Sequence, residues 1–164
     1  MTETELKLAD AATQFQLAMK DLEDEAVLRS CVNAFIGLGR SVTMVMEKES
    51  AAYPELLEWY KSKTAIYSKI PMMRFFNDQR VHTIHRGVIK PIKRTGRITG
   101  MQWGGKKILI SDKASFVVWE FDGVKKYMEN ESGNVPRLCE SYLLTLKLLV
   151  HEWMTMRQKL RIKD

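Results

Sequence analysis

The 164-residue chain has little of what stabilises or anchors specialised proteins. Its two cysteines, Cys31 and Cys139, are too few for a disulfide framework or a thiolate zinc site, and both are expected to be reduced. No apolar run approaches the roughly 20 residues that span a bilayer, and the opening MTETELKLAD is acidic where a secretory signal would be basic. A cytoplasmic protein without a membrane partner is the expectation. Four prolines and nine glycines leave room for long regular elements, and a charged fraction of 28% beside an apolar fraction of 45% is ordinary for a folded chain. At this length one domain, 1–164, is expected rather than two.

A local absence is more informative. From Gln79 to Ser111 there is no Asp or Glu, while Arg80, Arg86, Lys90, Lys93, Arg94, Arg97, Lys106 and Lys107 supply eight positive charges. The whole chain is only +6, so everything outside this segment is net acidic. A basic surface confined to one segment suits a polyanion such as RNA, with Arg86, Lys90, Lys93, Arg94, Arg97, Lys106 and Lys107 as candidate phosphate contacts.

Apolar spacings of three and four predict a helix from Thr2 to about Asp24 and a second from Glu25 to Ala52, the latter turning Val27, Cys31, Ala34, Phe35, Leu38, Val42, Val45 and Met46 inward. Gly37 and Gly39 inside it read as close helix packing. Pro54 and Pro71 suit the first turns of a third helix, Glu55 to about Thr64, and a fourth ending near Gly87, with Val81 and Ile84 among its apolar residues. Between 88 and 122, β-branched and aromatic residues predict two or three short strands, with Gly104-Gly105 as a hairpin turn, a break at Ser111-Asp112, and Phe116–Phe121 as a third strand. A last helix runs from Arg137 to about Arg161, and its basic end reads as a solvated terminus. The predicted fold is mainly α: a bundle of four to five helices with a small antiparallel β insertion, hairpin or meander, at about 88–122.

The densest polar cluster closes the fourth helix. Asp78 and His82, four apart, share a helical face on which the carboxylate could orient the imidazole. Arg80 and His85 are five apart, about 140° around the axis, and converge only through a distorted turn or a groove shared with a second chain. Arginine clamps phosphate and histidine moves protons near neutral pH, so the pair suits phosphodiester chemistry. With ten arginines and three histidines, however, the spacing alone carries little. Asp78, His82 and His85 make a weak metal set, so neither metal nor cofactor is expected. Arg40 either extends a phosphate groove toward Arg80 and His85 or pairs with Glu47 or Asp78, and pairing is the expectation. Trp59 and Tyr60 read as packing rather than base stacking.

The order of Asn33–Thr43, then Glu58-Trp59-Tyr60, then Met73–Arg80 through His85-Arg86-Gly87, resembles uncharacterised bacterial helical proteins similar to the HEPN superfamily. That resemblance implies a helical bundle, usually dimeric, in which Arg80 and His85 match a metal-independent ribonuclease motif, supported by Asp78 and His82. Active members usually carry Asn, Asp or His after the arginine, where this chain has Val81. Because Arg80 and His85 diverge on one helix, the expected form is a homodimer whose fourth helices meet, with RNA or an antitoxin-like protein as partner. The alternative is a non-enzymatic interaction module acting through dimerisation or docking, with the apolar residues of the β insertion as contact.

Overall fold

A computed structural model describes residues 1–103 and 106–162, with side chains described outside 96–115. It is mainly helical, with five α-helices and one two-stranded antiparallel sheet. The helix starts follow from local chemistry. In α1 (Glu3–Lys20) Thr2 and Glu5 form a reciprocal capping box. In α2 (Glu25–Ser50) the Asp24 carboxylate accepts from Ala26 and Val27 N–H. Both α3 (Pro54–Tyr67) and α4 (Pro71–His85) open on proline, whose missing donor costs nothing in the first turn. Asn134 caps α5 (Val135–Lys159) by accepting from Arg137 N–H.

Two apolar clusters share α2 and α5. The first joins α1, the N-terminal halves of α2 and α5, Phe75 and Phe76 of α4, and Trp119 and Phe121. At its centre the Phe76 and Tyr142 rings stack at 4.3 Å, and Phe35 meets both edge-on. The second gathers Val42 and Met46 with Leu56, Tyr60 and Tyr67 of α3 and with Leu149, Val150 and Trp153 of α5. Gly39 lets α2 approach Tyr142, because a Cβ there would lie 2.6 Å from the ring; Gly37 has nothing within 4 Å. Close packing therefore belongs to Gly39 alone. Glu49 joins the end of α2 to the start of α1, accepting from Glu3 and Thr4 N–H, where a carboxylate suits the positive helix end.

The β insertion is one hairpin of two long strands, β1 (Ile92–Trp103) and β2 (Lys106–Glu120), not a meander of three. The ladder runs from Ile92↔Glu120 to Trp103↔Lys106, and its register shifts between Ile98↔Ala114 and Gly100↔Leu109. The expected break at Ser111-Asp112 falls inside that shift, so the extra residues are absorbed as an irregularity and the strand continues. The predicted Gly104-Gly105 turn lies outside the described residues.

Other expectations are corrected. Val27, Val81 and Ile84 are exposed, because the partners of α2 and α4 cover only one side of each helix. Arg157 in the basic end of α5 is buried, its guanidinium 4.8 Å from the Trp153 ring centroid, while Gln158, Lys159 and Arg161 are exposed as expected. Among the described residues no helix is long and apolar enough to cross a membrane.

Candidate functional site

The root of the hairpin is held at four points. The Asn33 side chain accepts from Ile89 N–H and donates to Ile89 C=O, both at 2.9 Å, so an amide on α2 pairs with the linker as a strand would. Trp119 is buried and donates from its indole to Leu22 C=O at 2.7 Å. Phe121 N–H donates to Gly133 C=O at 2.7 Å, and Glu120 bridges to Asn134. Gly87, with φ +124°, turns the chain out of α4 into this linker. These contacts fix where the acid-free segment leaves the bundle.

Cationic groups cluster at that exit. Arg86 and Lys90 line an open recess of about 650 Å³ with Gln79, His82 and Asp122, at the junction of α4 and the hairpin root. The Asp122 carboxylate accepts from Gly123 N–H at 2.8 Å. On β1, the Lys93 ammonium sits 5.6 Å from the Trp119 ring centroid, directly across the ladder. Arg94 is ion-paired to Glu120 at 3.1 Å while most of its side chain stays exposed. Arg97, Lys106 and Lys107 continue the basic run within the ladder, and their side chains lie outside the described residues. A two-stranded ribbon of this kind can follow a nucleic-acid groove while its root presents further cations to phosphate.

The polar cluster of α4 is divided. Arg80 is half-buried and lines a recess against α2 with Ala34, Gly37, Leu38, Ser41, Thr83 and Ile84. His82 lines the different recess at the hairpin root, and His85, the last residue of α4, is exposed. Asp78 accepts a short hydrogen bond from the Tyr127 hydroxyl, so its partner is a tyrosine 49 residues away rather than His82. That hydrogen bond, with burial and the Asp78 charge adding to it, holds the Tyr127 phenol above its ordinary pKa. Among the described residues no three His, Cys, Asp or Glu side chains gather as a metal site.

Arg40 forms no ion pair with Glu47 or Asp78. It donates from Nη1 to Thr43 Oγ1 at 2.9 Å and faces a separate cavity among α2, α3, α4 and α5. Tyr60 is core, donating to Thr43 C=O at 2.8 Å, whereas Trp59 is half-buried beside Lys63. Sequence reasoning missed Asn33 as the hairpin clamp, Tyr127 as the partner of Asp78, and Arg74 and Asn77 as cavity residues. Only the helical phase of Arg74 and Asn77, three apart, hinted at a shared face.

A family model described as bacteriophage lambda protein ea47 matches residues 1–90, more than half of the chain. The chain belongs to this family. The match covers α1 to α4 and stops at the hairpin root, leaving the hairpin and α5 outside it. It overturns the HEPN resemblance, which rested on segments within the same residues. The catalytic reading of Arg80 and His85 drew its strength from that resemblance and loses it. Among curated proteins and solved structures, no significant match is found.

Proposed function

We propose that this chain is a non-catalytic nucleic-acid-binding protein that grips phosphate with the basic hairpin and its root. The observation that carries the reading is the coincidence of the acid-free segment Gln79–Ser111 with a clamped two-stranded ribbon. Charge on an element rooted at Asn33 and Trp119 can be held along a backbone instead of being scattered over a solvated surface. No cleavage step is included, because Arg80 and His85 diverge around α4 and Asp78 is engaged by Tyr127.

The test is fluorescence anisotropy with single-stranded RNA across a salt series, comparing parent with Lys93→Ala/Arg94→Ala/Arg97→Ala. Binding is expected to weaken with salt, and the triple variant is expected to reduce the logarithmic slope by about 1.4. That figure corresponds to two phosphates rather than three, since Glu120 already neutralises Arg94. No binding at about 50 mM salt, or an unchanged slope, refutes the reading.

One observation favours a second reading, an interaction module. Val81 and Ile84 on α4 and Val88 just beyond it are 41%, 56% and 52% exposed, an apolar strip next to the hairpin root. As a homodimer contact this strip predicts a dimer in sedimentation that Ile84→Glu dissociates.

A further inference from the structure

We infer that the partly open cavity between α2, α3, α4 and α5 binds a small oxyanion, either free phosphate or the terminal phosphate of a larger ligand. The cavity is about 160 Å³ and is remote in sequence from the basic hairpin. Its lining includes two guanidinium groups, Arg40 and Arg74, and no carboxylate. Arg40 Nε is buried without a hydrogen-bond partner, and Arg74 has no ion pair among the described residues. Leaving a charged donor unsatisfied in a protein interior is costly, so such a group marks a place where an acceptor is missing.

The other donors at this cavity agree. Asn77, Tyr67 and Tyr142 line it, and among the described residues none of their side-chain polar groups has a hydrogen-bond partner. Tyr142 is 4% exposed as a residue, and its hydroxyl, at the cavity, makes no hydrogen bond among the described residues. Burial keeps that phenol protonated well above neutral pH, with Arg40 opposing the effect, so it remains a donor. By contrast, the hydroxyls of Thr43, Thr64 and Ser68 already donate to backbone carbonyls. The acidic side chains near it lie outside the lining and are engaged elsewhere: Glu152, which acts on Tyr67, is ion-paired to Lys63 at 3.0 Å, and Asp78, four residues beyond Arg74, accepts from Tyr127.

Guanidinium, amide and phenol groups are all donors here, and two of them carry charge. Phosphate is the complementary chemistry, because its oxygens accept several hydrogen bonds and match the arginine fork. The volume holds one tetrahedral oxyanion with its waters, and a larger ligand would present its phosphate end to the two guanidinium groups.

The proposal is tested by thermal unfolding of the full chain in sodium phosphate and in sodium chloride of matched ionic strength. At a phosphate concentration tenfold above Kd, the parent is expected to gain about 4 °C over chloride. Arg40→Gln and Arg74→Gln are each expected to lose that gain. The hairpin variant Lys93→Ala/Arg94→Ala/Arg97→Ala is expected to keep it, which separates this site from the hairpin. A 5′-phosphorylated dinucleotide compared with its 5′-hydroxyl form distinguishes the two sources: stabilisation by the phosphorylated form alone assigns the site to a terminal phosphate. Arg74 is exposed and its replacement leaves the core intact, so Arg74→Gln decides the matter if Arg40→Gln does not fold. No gain with either ligand, or a gain retained by Arg74→Gln, overturns the proposal.

Discussion

Gly37 and Gly39 lie two residues apart on one helix and have opposite consequences for an added methyl group. At Gly39 a Cβ would lie 2.6 Å from Tyr142 Cε1, and that ring is held by the Phe76 stack and the Phe35 edge. Overpacking of this kind costs about 1–3 kcal/mol, more than the roughly 1 kcal/mol that replacing a helical glycine by alanine recovers. Gly39→Ala is therefore expected to destabilise the chain by about 1 kcal/mol. Gly37→Ala meets nothing within 4 Å and should stabilise it by up to about 1 kcal/mol. Urea midpoints of the two variants are expected to move in opposite directions from the parent. Equal shifts would mean that Tyr142 yields to the methyl group.

Between elements, the hairpin depends on a side chain rather than on another strand. The Asn33 amide supplies both hydrogen bonds that a neighbouring strand would offer to Ile89, and it also donates to Arg29 C=O at 2.7 Å. Asn33→Ala leaves the N–H and C=O of buried Ile89 without these partners and is expected to cost about 2 kcal/mol. Amide exchange at Ile89 should rise more than in the middle of α5. Asn33→Asp keeps the acceptor and loses the donors, so it should fall between parent and alanine. Exchange at Ile89 unchanged in Asn33→Ala would show that Trp119 and the Phe121–Gly133 contact hold the root without it.

Across the whole molecule, α2 and α5 pass through both apolar clusters, so loss of one cluster exposes the other. A single buried ionisation can therefore be read in global stability. Burial pushes the Tyr60 phenol from 10.0 up to about 12, with Glu47 adding to the shift and Arg40 opposing it. The folded chain holds this proton more tightly than the unfolded chain. Its contribution is complete below pH 10 and is lost as pH rises from about 10 to 12, by an amount on the order of 2 kcal/mol. Tyr60→Phe is expected to lose about 1 kcal/mol at neutral pH with the hydrogen bond to Thr43, and then to decline less between pH 9 and 11. Tyr142 is shifted in the same direction, so the slope should flatten without vanishing. An identical alkaline slope in parent and variant would exclude Tyr60 as a source.

The helices were legible from the chain alone because their signals are local: Asp24 as a cap, Pro54 and Pro71 as first-turn residues, and apolar spacings of three and four. The basic, acid-free segment was legible for the same reason, since charge order along a chain needs no contacts. The short motifs suggested the wrong family because residues such as Phe75 and Phe76 recur wherever a helix packs, and here they fill the aromatic core. Tertiary structure alone decided which apolar residues are covered, leaving Val81 and Ile84 of α4 in solvent. It also gave Asp78 to Tyr127, merged the expected second and third strands into β2, and brought Arg40 and Arg74 to one cavity from helices joined through α3. Helical periodicity states which side chains share a face; the arrangement of other helices determines whether that face meets protein, solvent or an anion.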